Sequence, residues 1–291
     1  MSKNLSRRQL IKSGLFTAAG VSFIGKASAY NGSIEKLPAR DEWQNFKIGI
    51  ASYTFRKLSV DDTIKAMKRL NLSYISIKDF HLSLDTTVAE RKVLIQKLKD
   101  AGITALSCGN ITMQNDEKDI RRAFDYAKDC GIPTIVCSPH PDSLPLLDKM
   151  VKEYNIKLAI HNHGPEDKRF PSPYDVMKAV ANYDNRIGLC IDVGHTARAK
   201  VNPAEAIVKC KDRLYDLHFK DIASTEPNGK TIEAGRGVLD LSSIIGALQK
   251  IKYPYLVSIE YEEQENDPLP SVSETVGYIH GLLAKRSKKN A

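Results

Sequence analysis

The chain has 291 residues, 42% of them hydrophobic and 27% charged, with a formal net charge of +8. That is the composition of an ordinary globular protein, and a chain of this length buries enough apolar surface to need neither disulfides nor a structural metal. Five basic residues (Lys3, Arg7, Arg8, Lys12, Lys26) lie in the first 29 positions, which hold no acid, and Lys285, Arg286, Lys288 and Lys289 crowd the C-terminus. The body is therefore near neutral, and no nucleic-acid surface is expected.

The N-terminus reads as a targeting segment. "SRRQLIK" (6–12) places paired arginines before the apolar run "GLFTAAGVSFI", and "ASA" (27–29) offers a small-residue cleavage site. This is the pattern of a twin-arginine export signal over residues 1–29. The run is too short and too rich in Gly and Ala to span a bilayer. The expectation is a periplasmic protein with no membrane attachment after cleavage. Residues 30–45 read as a polar leader.

A regular rhythm follows. "FKIGIAS" (46–52) is a short apolar run, and "VDDTIKAMKRLN" (60–71) has helical spacing with acids at its start. "YISIK" (74–78) and "TVAERKVLIQKLKDAG" (87–102) repeat the pair. So do "ITALSC" (103–108) with "EKDIRRAFDYAKDCG" (117–131), and "PTIVCS" (133–138) with "SLPLLDKMVKEYN" (143–155). Next come "KLAIHN" (157–162) with "PYDVMKAVANY" (173–183), and "IGLCID" (187–192) with "PAEAIVKCKD" (203–212). "LYDLHFK" (214–220) with "LSSIIGALQKI" (241–251), and "YLVSIE" (255–260) with "VSETVGYIHGLLAKR" (272–286), complete the series. Strands alternating with helices imply a parallel sheet. Eight units within residues 46–286 match a single-domain (β/α)8 TIM barrel, with residues 287–291 as a disordered basic tail. An open doubly wound sheet would ordinarily carry a Gly-rich loop after the first strand, where this chain reads "SYTFRK". The five cysteines form no CxxC and lie mostly in apolar patterns, so they read as buried small hydrophobes.

Barrel sites form at the C-terminal strand ends. Those ends read His161-Asn-His163, "DVGH" (192–195), "HFKD" (218–221) and "EYEE" (260–263). Alternate residues of a strand share a face. With Ile187, Leu189, Ile191, Tyr215, Leu217, Phe219, Tyr255, Val257 and Ile259 turned toward the helices, His161, Asp192, His218 and Glu260 turn inward on four consecutive strands. Two neutral histidines cannot neutralise two buried carboxylates, whereas one divalent cation can. Two nitrogens and two oxygens suit Mn²⁺, Zn²⁺, Co²⁺ or Fe²⁺ better than Mg²⁺ or Ca²⁺.

In "AIHNHG", "GLCIDVGH", "DLHFKDI", "GRGVLD" and "SIEYE" the chain resembles the sugar phosphate isomerase/epimerase family of xylose isomerase-like TIM barrels, within the AP endonuclease 2 superfamily. That group includes ketose 3-epimerases, inosose dehydratases and, more distantly, endonuclease IV. The resemblance covers about residues 46–283 and implies His161, Asp192, His218 and Glu260 as metal ligands. Many ketose epimerases carry Glu at the strand-five position, and this chain has His161, which puts a two-carboxylate epimerase mechanism in doubt.

Further candidates surround that set. His163, His195, Lys78, Lys220 and Glu260 itself are candidate acid–base or charge-stabilising groups. Arg236 in the "GRG" turn, His140, Tyr53, Phe55 and His81 are candidate substrate contacts. A metal in such a mouth supports enolate chemistry beside a carbonyl, from which isomerisation, epimerisation, elimination or hydration can follow. Export disfavours phosphorylated sugars, so a free keto-sugar or a 3-keto-glycoside is the expected substrate, with a slight preference for elimination or hydration. A ketose isomerase or 3-epimerase is the alternative. A DNA-repair nuclease would need a basic groove, and a non-catalytic sugar-binding barrel would need no ligand set. A homo-oligomer is compatible with the sequence.

Overall fold

The computed structural model describes residues 43–287. The expected export signal, most of the expected leader and the last four residues lie outside them. Eight parallel strands close a barrel: β1 (Lys47–Ala51), β2 (Tyr74–Ile77), β3 (Thr104–Met113), β4 (Thr134–Pro139), β5 (Lys157–His161), β6 (Ile187–Asp192), β7 (Leu214–Phe219) and β8 (Leu256–Ile259). β1 pairs with both β2 and β8, so the sheet has no free edge. The single-domain (β/α)8 reading is correct.

Helices form where the pattern placed them, and their ends are capped. α1 (Val60–Arg69) starts at Ser59, whose hydroxyl accepts the Asp62 N–H, and it carries acids in its first turn and bases in its last. α2 (Val88–Asp100) begins with a Thr87/Glu90 capping box. α3 (Glu117–Cys130) ends at Gly131, whose φ of 65° is open to glycine at no steric cost. α4 (Leu144–Tyr154) and α5 (Pro173–Val180) follow. After β6 the sequence reading had one helix and the structure has two: a short α6 (Val193–Arg198) and then α7 (Pro203–Lys209). The Asp192 carboxylate caps α6, so His195 stands on a helix rather than at a strand end. α8 (Leu241–Lys250) and α9 (Leu269–Ser287) complete the ring. Among the described residues no helix is long and apolar enough to cross a membrane.

The outward strand faces supply the core: Ile48, Ile75, Ile135, Leu158, Leu189, Leu217 and Val257 are fully or almost fully buried. The interior is different. Ser76, Ser107, Ala159, Cys190, Asp216 and Ser258 are small or polar and equally buried. All five cysteines are free and buried.

Two tyrosines depart from the expected parity. Between Leu189↔Leu214 and Cys190↔Asp216 the β6–β7 register shifts, leaving Tyr215 as an extra residue. Such a bulge redirects a side chain. Tyr215 therefore packs with Val136, Ala159 and Cys190, against Tyr255. The two tyrosine rings meet edge to face at 5.5 Å and plug the N-terminal end of the barrel instead of facing the helices.

Above this plug Asp216 is sealed from water. Its Oδ1 accepts from the Ser258 hydroxyl at 3.3 Å, and burial pushes its carboxyl from 3.8 up to about 6. The folded state thus holds a proton that the unfolded chain releases. The stability contributed is complete below pH 3.8 and is lost as pH rises through about 6. Relative to Asp216→Asn, the wild type should lose roughly 3 kcal/mol of unfolding free energy across that window. Urea unfolding of both proteins at several pH values checks this, and parallel profiles would rule it out.

Candidate active site at the barrel mouth

Four donors converge at the C-terminal strand ends. His161 closes β5, Asp192 closes β6, His218 lies near the end of β7, and Glu260 follows β8. All four are buried. His161 Nε2 lies 2.9 Å from His218 Nδ1 and 3.6 Å from Asp192 Oδ2. His218 Nδ1 lies 3.8 Å from Asp192 Oδ2 and 3.0 Å from Glu260 Oε2. Donors about 2.0–2.2 Å from a tetrahedral ion are spaced about 3.3–3.6 Å apart, so the set is close to the required size. Of these converging atoms Asp192 Oδ2 is buried with no aligned hydrogen bond. A buried carboxylate oxygen in that position calls for a further partner, and the four residues together fit a divalent metal.

The electrostatics agree. Burial alone would raise the Asp192 carboxyl, but the Lys220 ammonium and the nearby histidines hold it well below its ordinary range. Glu260 is likewise held well below, against burial, by His218 and Lys220. Burial pushes His218 down to about 4, so its imidazole is neutral and able to bind a metal at neutral pH. Lys220 Nζ lies 2.9 Å from Asp192 Oδ2 and 2.9 Å from Glu260 Oε2, and it also contacts Glu262 Oε1. These carboxylates raise its ammonium well above the ordinary value despite burial.

A second layer positions the donors. Asn162 Oδ1 accepts the Asp192 N–H at 3.1 Å, and its amide donates to the Thr196 hydroxyl at 3.1 Å. Thr196 in turn donates to the Asp192 carbonyl at 2.6 Å. This fixes the turn from β6 into α6. Strand alternation with the inward His161 puts Asn162 on the outer face, a position that gave no sign of this role.

The pocket above the donors holds about 400 Å³. Lys78, His163, His195 and Tyr53 line it, as expected, together with Asp79, Phe80, Asn110 and Glu262. Lys78 Nζ stands 3.8 Å from Glu260 Oε1. His163 is pushed down to about 3, mainly by burial, and His195 to about 2 for the same reason. The Asn110 amide donates to His163 Nε2 at 3.2 Å, while Nδ1 faces Asp167 at 3.6 Å. Phe80 is 57% exposed at the rim, edge-on to Tyr53 at 5.8 Å. Glu262 was signalled by its spacing of two from Glu260. Asn110 and Asp79 carried no such signal. A larger hollow of about 490 Å³ opens at the opposite end of the barrel, beside Lys47 and Lys252, and contains no metal-ligating cluster.

Four expected substrate contacts lie elsewhere. Phe55 is wholly buried in the core. His81 is buried between the Ser52 and Thr63 hydroxyls, at 3.1 and 3.0 Å. His140 stays outside the pocket, where Nδ1 accepts the Asp142 N–H at 3.3 Å. Arg236 turns outward to Glu274 on α9, at 2.5 and 2.7 Å. The reason lies in its loop. Asp221 accepts the N–H groups of Ile222, Gly235, Gly237 and Leu239. A Cβ on Gly237 would stand 2.2 Å from Asp221 Oδ1. The "GRG" turn is therefore built around this carboxylate, and the Arg236 side chain is left to face solvent.

Removing the internal cation should expose the underlying repulsion. In chelator, Lys220→Met should lower the unfolding free energy by roughly 3–5 kcal/mol, the cost of unpairing buried charge. Saturating Mn²⁺ or Zn²⁺ should narrow the gap to wild type. Chemical unfolding with and without metal measures both, and an unchanged stability in chelator would contradict this account.

Comparison with known proteins agrees with the fold. A curated relative, the rhizopine catabolism protein MocC of Rhizobium meliloti, is 25% identical over 147 residues, which is 45% of each chain. The match thus spans less than half of that protein. The crystal structure of 3-keto-D-glucoside 4-epimerase YcjR from E. coli superposes with a TM-score of 0.67 at 16% identity, over 81% of this chain and 99% of that one. The IolI protein with a bound zinc atom gives 0.69 at 16% identity, over 82% and 99%. At such identities the likeness is one of fold. The model of the family described as xylose isomerase-like TIM barrel matches residues 64–280, and the chain belongs to that family.

Proposed function

We propose that the chain is a metal-dependent enzyme of enolate chemistry, acting on an unphosphorylated keto-sugar, with elimination or hydration of a 3-keto-glycoside as its reaction. The observation that carries this reading is the buried His161–Asp192–His218–Glu260 set under a polar pocket flanked by Lys78 and Lys220. A Mn²⁺, Zn²⁺ or Co²⁺ ion held there supplies Lewis acidity to the substrate carbonyl. The enzymes among the structural neighbours, the 3-keto-D-glucoside 4-epimerase included, support a sugar substrate by analogy of fold.

The protein's own groups then divide the work. Glu262 is a pocket carboxylate outside the ligand set, and it accepts the proton from C2, next to the C3 carbonyl. The electrons of that C–H bond move into C2–C3, and charge develops on the C3 oxygen. The Lys78 ammonium, itself buried at the pocket floor, stabilises that charge. When the electrons return, the C1–O bond breaks and the leaving oxygen takes the proton held by Glu262, giving a 1,2-unsaturated ketone and the free alcohol and restoring the carboxylate. Water adding in reverse is the hydration. Tyr53 and the exposed Phe80 offer apolar faces to the sugar ring. Epimerisation is the second reading. It is favoured by Asp79, a further carboxylate on the pocket wall, which can reprotonate a planar intermediate from another side.

NMR in D₂O with Mn²⁺ and a methyl 3-keto-glucoside tests the assignment. Deuterium should enter at C2, followed by vinylic product signals. Chelator should abolish both, and Asp192→Ala should remove bound metal. Glu262→Gln and Lys78→Met should each slow exchange by at least about 10². Exchange at C3 of free ketoses, with 3-keto-glycosides untouched, would return the protein to the epimerase reading.

Export through the twin-arginine pathway belongs to the proposal and rests on "SRRQLIK" and "ASA". Arg7→Lys combined with Arg8→Lys should trap uncleaved precursor in the cytoplasm. An exported protein still beginning at Met1 would refute the cleavage.

A further inference from the structure

Arg198 is a nearly buried cation that makes no contact with the metal-ligand set. Its side chain is only 13% exposed. One guanidinium nitrogen, Nη1, donates to the Pro227 carbonyl at 2.7 Å and lies 3.3 Å from Glu166 Oε1. The other, Nη2, contacts His195 Nδ1. Arg198 therefore ties α6 to the loop after β5 and to the loop after β7. Its Nε is buried without a hydrogen-bond partner. Gly164, at φ +84°, makes room for the arrangement: a Cβ there would come within 3.3 Å of His195 Nδ1, 3.5 Å of Arg198 Nη2 and 2.9 Å of Glu166 Oε2. The glycine of "HNHG" is thus explained by its left-handed backbone together with the close Glu166 and His195 side chains.

The chemistry of this contact is one-sided. A guanidinium has only donors and stays protonated. An imidazole nitrogen facing it can only accept, so the ring's proton resides on the other nitrogen. His195 Nε2 points toward the donor cluster, 3.9 Å from Asp192 Oδ2, and the residue lines the pocket. The backbone that carries the ring is fixed as well, since the His195 main-chain N–H donates to Asp192 Oδ1 at 2.8 Å.

We propose that Arg198 is a positioning residue that locks His195 as its Nε2–H tautomer, making His195 a fixed hydrogen-bond donor to an oxygen of the bound sugar and not a general base. The donor role rests on the functional reading given above; the tautomer does not. His163 is the complementary case. Its Nε2 accepts from Asn110, so its proton lies on Nδ1, toward Asp167, and the two rings hold opposite tautomers.

The tautomer is read directly by long-range ¹H–¹⁵N correlation spectra of protein labelled with ¹⁵N-histidine, with His195 assigned by its loss in His195→Gln. In wild type, metal-free and with Zn²⁺, Nδ1 should be pyridine-type and Nε2 pyrrole-type. In Arg198→Met both shifts should move toward the averaged values of mixed tautomers, and Arg198→Lys should restore the wild-type pattern. A proton on Nδ1 in wild type, or an Arg198→Met spectrum identical to wild type, overturns the lock. The donor role is read by exchange of the keto-glycoside C2 proton. Glutamine keeps an N–H close to the position of Nε2–H but cannot act as a base. His195→Gln should therefore lose about tenfold and His195→Leu about 10³-fold, the range for removing one such donor. Equal, complete loss in both would make His195 the base and overturn the donor assignment. If the spectra support the lock while no keto-sugar exchanges in wild type, the functional reading fails and the lock stands.

Discussion

The mouth of this barrel depends on one electrostatic constraint: two carboxylates, Asp192 and Glu260, are buried within reach of a single ammonium, Lys220. Neither could remain ionised alone in such a place. Two neutral imidazoles beside them add donors without adding charge. With Glu262 also on Lys220 and Lys78 beside Glu260, three carboxylates face two ammonium groups, so the arrangement is short of positive charge, and the positions of the surrounding groups follow from that shortage. Lys78 approaches Glu260 from β2, on the opposite oxygen from Lys220. The Asp192 carboxylate also spends one oxygen on capping α6. A helix N-terminus is partially positive, so this cap stabilises the same ionised form that the lysine requires.

Most of this was legible from the order of residues, because a parallel barrel is regular. Strands of period two separated by helices of period 3.6 give the fold class. The same period of two predicts that His161, Asp192, His218 and Glu260 share the inner face, and the β6–β7 register places Asp192 beside His218. Parity failed where regularity failed. Tyr215 turned inward because of a bulge, and a bulge inserts one residue that no composition pattern announces. The loops were less legible still. Arg236 read as a substrate contact because its glycines resemble a ligand-binding turn. In fact both glycines donate their N–H groups to Asp221, fourteen and sixteen positions earlier in the chain, and Gly237 makes room for its carboxylate. Such a pairing is set by three-dimensional closure and leaves no local signature.

The histidines show a similar division. Three of them, His161, His163 and His218, were found by spacing alone. What each can do was not, because the role of an imidazole is decided by whatever faces its second nitrogen. Asn110 and Arg198 make that choice for His163 and His195. They lie 53 and 3 positions from the histidines they govern, so neither sequence separation nor residue type would have selected them together.

The five free cysteines have a consequence for how such a protein tolerates its surroundings. Each thiol is buried, and burial pushes Cys130 and Cys210 up to about 11 and the other three higher still. A thiol held protonated and away from solvent is neither a nucleophile nor a target for oxidants. The fold therefore has no covalent cross-link to form or to lose. It can be completed among reduced thiols and persist in an oxidising milieu with the same bonds throughout. Redox conditions are not a variable in its stability, and the cysteines behave there as so many small apolar side chains.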